Sequence, residues 1–230
     1  MKLAALREEV LEANLELVRR GLALYTFGNA SGIGRGEGLV VIKPSGVPYE
    51  NMKATDLVIV DLDGKVVEGS LRPSSDLPTH LILYNAFPKI GGVAHTHSRA
   101  ATAWAQAQRE IPCFGTTHAD YFNGPVPLTK PLTPAQIRSN YEVNTGHAIM
   151  RRFAKLDPAQ APAVLVAGHA PFCWGDTPAE AAHVAVVLEE IAALAAQTLI
   201  ANPKARPISK HLQQKHFFRK HGGLAYYGQK

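Results

Sequence analysis

The sequence predicts one α/β domain on a mixed or antiparallel sheet. Three observations carry this. Helix-periodic segments alternate with short β-branched runs, and no linker, repeat or shift of composition interrupts the 230 residues. Asp63-Gly64 stands between two β-branched runs, a strong short-range hairpin signal that favours antiparallel pairing. With 46% hydrophobic and 19% charged residues the chain belongs with globular proteins, not disordered ones. A chain of this length buries roughly 70% of its unfolded surface, so it needs no metal merely to fold, and a metal found in it is first to be considered for chemistry.

The elements follow in order. Leu3, Leu6, Val10, Ala13 and Leu17 recur at helical spacing and Gly21 follows Arg19-Arg20, which predicts a helix over 2–20. Gly32-Ile33-Gly34-Arg35-Gly36 lacks the spacing of a dinucleotide loop and reads as a flexible loop. Residues 39–43 and 57–61 are β-branched and bounded by turn residues. The second run joins 65–67 through the Asp63-Gly64 turn. A helix is expected over 78–87, with proline at its start, and a strand over 92–97. Helices at 98–108, 134–153, 177–201 and 208–220 and a buried strand at 163–168 complete the prediction.

The formal charge of +5 is unevenly placed: residues 191–230 carry seven basic side chains and no acidic one, leaving residues 1–190 at −2. Aromatic and aliphatic residues interleave with these cations, which favours a docked, ordered tail over a loose nucleic-acid arm. Cys113 and Cys173 form no C-x-x-C pair and read as reduced, buried small hydrophobes. No run approaches the roughly 20 uninterrupted apolar residues of a membrane span, Ile191 to Ala201 being the longest. The N-terminus turns acidic and helix-periodic too soon for a signal peptide, so a cytoplasmic location is expected.

Histidines supply the first candidate chemistry. His95-Thr96-His97 places two imidazoles at i and i+2, on one face of a strand and roughly 6.5–7 Å apart. His169 ends the apolar run 163–168. Three histidines with an open position make the composition of a catalytic zinc site, and Asp76 is the carboxylate best placed to close the shell. His118 is a rival for ligand or acid–base duty. His80, His147 and His183 lie in expected helices and read as surface or capping residues. Three polar turns, Gly28-Asn29-Ala30-Ser31, Lys43-Pro44-Ser45-Gly46 and Pro73-Ser74-Ser75-Asp76, offer backbone N–H groups and hydroxyls suited to a phosphate dianion. Each alone is an ordinary turn. Together they put a phosphate pocket beside a metal.

These segments, with Pro78-Thr79-His80, Ser98-Arg99, Thr116 to Phe122, His169 to Phe172 and Lys220 to Gln229, resemble the class II aldolase and epimerase family of zinc-dependent sugar-phosphate enzymes nearly end to end. The resemblance implies a class II aldolase-like α/β/α sandwich over 1–230. It implies Zn2+ on His95, His97 and His169 with Asp76 in or near the shell, and substrate contacts from Gly28, Asn29, Lys43, Ser45, Gly46, Ser74 and Ser75. Asp120 and Tyr227 correspond to the acid–base pair, supported by His216 and Glu142. Tyr227, His216 and Glu142 would reach in from a neighbouring subunit of a homotetramer, docked through a tail of about 203–230.

Asp76 stands where the family's aldolases have glutamate, which favours the epimerase branch. Ala170 departs from the glycine common after the third histidine. The implied reaction inverts C4 of a pentulose 5-phosphate by retro-aldol cleavage and re-addition of glycolaldehyde phosphate. The alternatives are an aldolase that releases both fragments and, more remotely, a metal-bound nucleic-acid-binding protein; no nucleic-acid or membrane partner is expected.

Overall fold

The computed structural model describes residues 2–223 and 225–227; Met1 and, in the tail motif, Leu224, Gly228, Gln229 and Lys230 lie outside them. Seven strands form one sheet in the order β4-β3-β2-β1-β5-β7-β6. They are β1 (Asn29–Gly34), β2 (Leu39–Ile42), β3 (Val58–Asp61), β4 (Val66–Glu68), β5 (Gly92–His95), β6 (Ala163–Leu165) and β7 (Pro171–Gly175). Every ladder is antiparallel, and β3 and β4 form the expected hairpin. Parallel pairing occurs as a lone bridge between Leu128 and Leu165.

Alternation along the strands makes both faces apolar. Val41 and Ile59 point toward α1 (Ala4–Arg19), α3 (Arg99–Gln106) and α7 (Pro178–Ala201). Val40, Ile42, Val58 and Val60 point toward α2 (Leu77–Ala86) and α6 (Tyr141–Phe153). The result is a three-layer α/β/α sandwich. Ala30, Ala94, Cys173 and Ala163 are register neighbours across four strands and fully or almost fully buried. This row of small residues lets the alanine-rich face of α7 settle closely on the sheet. Cys173 is a small hydrophobe in that row, both cysteines are free, and burial pushes the Cys113 thiol up to about 11. By length and composition α7 could cross a membrane; here it packs on β5 and β7.

Several expectations needed correction. Residues 32–34 of the glycine-rich segment read as a loop belong to the central strand β1, residues 35–38 forming the turn to β2, and β7 was not anticipated. Gly32 explains the first miss: a Cβ there would fall 2.7 Å from Pro178 Cγ and 2.8 Å from Leu6 Cδ1, so close helix packing, and not flexibility, selects glycine. β5 ends at His95, leaving His97 beyond it. The helix expected over 134–153 breaks at Ser139 and Asn140 into α5 (Pro134–Arg138) and α6. His80 is fully buried and bonded to Ser31 Oγ through Nδ1 at 2.7 Å, not on the surface. His118, in the short α4 (Thr116–Ala119), is buried apart from the three converging histidines and donates from Nε2 to Gly124 O in the following loop, with burial taking its pKa to about 4.

Candidate active site

A cavity of about 600 Å³ opens at the end of the sheet where β1, β5 and β7 meet. In register, Asn29, His95 and Phe172 stand side by side there. His95 is 1% exposed, stacks on Phe172 with ring centroids 4.2 Å apart, and donates from Nδ1 to Pro171 O at 2.9 Å, which leaves Nε2 facing the cavity. That atom lies 3.2 Å from His97 Nε2. His169 arrives from the β6–β7 turn, where the left-handed residue is Gly168 (φ +71°), so Ala170 carries its methyl without backbone strain.

One ring nitrogen from each of His95, His97 and His169 lies within 4.8 Å of the others. Ligands about 2.0–2.1 Å from a tetrahedral zinc sit about 3.3 Å apart, close to the spacing of the first pair. Burial, then the neighbouring imidazoles, takes His169 down to about 4 and lowers His97, so both rings are neutral at ordinary pH, the form that can donate to a metal. The donor set therefore fits a divalent ion. Asp76 Oδ2 stands 4.0 Å from His95 Nε2 and accepts from Asn29 Nδ2 at 2.7 Å. Burial would raise its pKa, but the facing His95 and His80 and the Asn29 amide hold it below the usual carboxylate value.

Backbone pairing zips two of the serine turns together. Ser45 N donates to Arg72 O, Ser74 N donates to Lys43 O, and Pro44 bridges Pro73. Ser45, Gly46, Ser74 and Ser75 thus line one wall of the cavity. Lys43 is 2% exposed, with Nζ donating to Pro44 O and lying 4.7 Å from the Tyr49 ring centre; burial lowers its pKa to about 8. The Tyr49 hydroxyl donates to Gly28 O, fixing the third turn. Gly28 is required there twice over: φ is +75°, and a Cβ would meet His95 O at 2.8 Å.

Gly28, Asn29, Lys43, Ser45, Gly46, Ser74, Ser75, Asp76, His95, His97 and His169 are therefore assembled around one cavity. Glu142 also lines it, from the first turn of α6 of the same chain, whereas the resemblance brought it from a neighbour. Asp120, Tyr227 and His216 do not line it. They cluster at the junction of α4 with α8 (Lys210–Lys220). Asp120 accepts from His216 Nδ1 at 3.0 Å and from two nitrogens of Arg219. The Arg219 carbonyl accepts from Tyr226 and Tyr227 N–H, and its guanidinium lies 4.6 Å from the centre of the Tyr227 ring. Burial would raise the Asp120 pKa, but bonds from Arg219 and His216 hold it low. Tyr227 is exposed.

Sequence reasoning missed Tyr141, which lines the cavity and whose hydroxyl lies 3.2 Å from His169 Nδ1. Its signal was present only as adjacency to Glu142. Tyr49 and Thr79 were missed as well; Thr79 Oγ1 donates to Glu142 O at 2.7 Å and ties α2 to the start of α6.

Residues 8–196 match the family described as Class II Aldolase and Adducin N-terminal domain. The L-ribulose-5-phosphate 4-epimerase UlaF of Salmonella paratyphi C (strain RKS4594) is 53% identical over 225 residues, covering 98% of this chain and 99% of that protein. The structure of YgbL from Escherichia coli superposes with a TM-score of 0.74 at 28% identity, covering 92% of this chain and 97% of that one. An L-fuculose 1-phosphate aldolase structure superposes with a TM-score of 0.80, covering 94% and 95%; at 24% identity it attests the fold alone.

Proposed function

The chain belongs to the class II aldolase and adducin family, and from that premise we propose that it interconverts L-ribulose 5-phosphate and D-xylulose 5-phosphate by inverting C4. The observation that carries this reading is the joining, in one cavity, of three converging imidazoles with Asp76 and a serine-lined wall beside Lys43. The full-length likeness to an epimerase supports the choice of branch.

The C4 hydrogen of a 2-ketopentose phosphate is not α to the carbonyl, so simple proton removal cannot invert the centre. Breaking C3–C4 and re-forming it on the other face can. The reading assigns Zn2+ to His95, His97 and His169, and such an ion, when bound, polarises the C2 carbonyl and spreads the negative charge left by the cleavage. Ser45, Gly46, Ser74 and Ser75 with the Lys43 ammonium hold the phosphate while the aldehyde end of the two-carbon fragment turns about its C4–C5 bond. Asn29 Oδ1, buried and without a partner among the described residues, accepts from a substrate hydroxyl.

A base takes the O4 proton as C3–C4 breaks, and an acid returns one to O4 from the other side after re-addition, so protons balance. Asp120 and Tyr227 fill these roles, with His216 orienting Asp120 and Glu142 at the cavity wall. Because Asp120, His216 and Tyr227 form one cluster away from their own cavity, the reading delivers them together to a neighbouring chain's cavity within a homotetramer. The tail, about 203–230, makes that contact. The enzyme is expected to work in the cytoplasm.

Incubating zinc-loaded protein with L-ribulose 5-phosphate and recording NMR spectra tests the proposal. D-xylulose 5-phosphate is expected. Stoichiometric release of dihydroxyacetone and glycolaldehyde phosphate would favour the aldolase reading instead, and an unchanged spectrum would contradict both.

A further inference from the structure

The three imidazoles differ in what holds the nitrogen that faces away from the cavity. His95 is fixed by a main-chain carbonyl, that of Pro171, through a buried bond of 2.9 Å. His169 has no such backbone partner for its ring among the described residues. It projects from a turn, and what meets its Nδ1 is a side chain, the phenol of Tyr141 at 3.2 Å. With Nδ1 occupied, Nε2 is the nitrogen left for the cavity.

Tyr141 is itself firmly placed. It is the first residue of α6, and its carbonyl accepts from Thr145 Oγ1 at 3.0 Å, with Thr145 1% exposed. The carbonyl of the next residue accepts from Thr79 Oγ1 in the first turn of α2. Asp76 is the residue just before that same helix, its side chain bonded to Asn29. The hydrogen-bond chain from α2 through Glu142 O to α6 thus sets the phenol relative to both Asp76 and His169.

We propose that Tyr141 is a positioning residue for the metal centre, its phenol oxygen accepting from His169 Nδ1–H and so presenting Nε2 to the ion. This rests on the reading that His95, His97 and His169 hold a divalent ion. A partner on the remote nitrogen fixes the tautomer and ring orientation of a ligating histidine, and its loss typically weakens metal affinity ~10- to 100-fold.

The test compares the full-length protein with Tyr141→Phe and Tyr141→Leu by competition for Zn2+ against a chromophoric chelator, alongside thermal melting of the metal-free proteins. The expected result is a ~10- to 100-fold weaker zinc affinity for Tyr141→Phe, with an unchanged melting temperature and a similar affinity loss for Tyr141→Leu. Wild-type affinity in Tyr141→Phe, with loss confined to Tyr141→Leu, would reduce Tyr141 to a packing residue and overturn the proposal. Failure of the wild-type protein to bind zinc would instead bring down the metal reading, and this inference with it.

Discussion

Arg219 grips Asp120 with two parallel hydrogen bonds, Nε to Oδ1 at 3.0 Å and Nη2 to Oδ2 at 2.7 Å, while its own carbonyl holds the backbone of Tyr227. A bidentate pair of this kind is both strong and geometrically specific. It makes Asp120 and Tyr227 a single unit, and that unit does not line the cavity of its own chain.

Subunit mixing tests the consequence. A His97→Asn chain keeps an intact tail cluster, and a Tyr227→Phe chain keeps an intact cavity. Each homo-oligomer is expected to be nearly inactive, since loss of a general acid–base group costs ~100- to 10,000-fold. Random mixed oligomers joined through a repeated head-to-tail interface should regain about a quarter of wild-type activity, because that fraction of sites pairs a good cavity with a good tail. Activity no greater than the sum of the parents would place both halves of the site in one chain.

Loss of one imidazole from the trio should be severe. His97→Asn is expected to lose bound zinc and to lower turnover by more than ~100-fold, since disturbing even an outer partner of a ligand costs up to that much. Elemental analysis and steady-state rates check both. Full activity without metal would reject the assigned centre.

Lys43 predicts a pH limb. In the proposed site its ammonium form binds the phosphate, and burial brings its pKa from 10.5 to about 8, so kcat/KM should fall as pH rises through about 8. Lys43→Met should lack that limb and show a kcat/KM lowered ~10- to 100-fold, the loss of one charge-assisted bond. Folding stability should move the other way: the unfolded chain keeps this proton to higher pH, so the Lys43 contribution makes stability rise between about 8 and 10.5.

Gly32→Ala probes the packing of β1 under the helices. The added methyl would meet Pro178, Leu6 and Val10 at 2.7–2.9 Å, and overpacking of this kind costs about 1–3 kcal/mol. A melting temperature equal to wild type would show that α1 and α7 yield freely.

The elements most legible in the sequence were those with a repeating pattern, such as the α1 stripe of Val10, Ala13 and Leu17 and the hairpin around Asp63-Gly64. β1 was hidden because its residues are chosen by what lies against them: Gly32 by Pro178, and Gly28 just before the strand by the His95 carbonyl. Local propensity carries no trace of such tertiary contacts. In the site, residues within short motifs could be named in advance. Tyr141 could not, because its link to His169 spans 28 positions and depends on the break between α5 and α6. The placement of Asp120 beside the tail was equally invisible, since Arg219, which holds it, stands 99 residues away.

Conversion of L-ribulose 5-phosphate by the zinc-loaded protein in D2O, followed by NMR at C4, tests the central claim most directly. Cleavage and re-formation of C3–C4 leave the C4 hydrogen in place, so the account predicts D-xylulose 5-phosphate with protium at C4. Deuterium at C4, or no product at all, would contradict it.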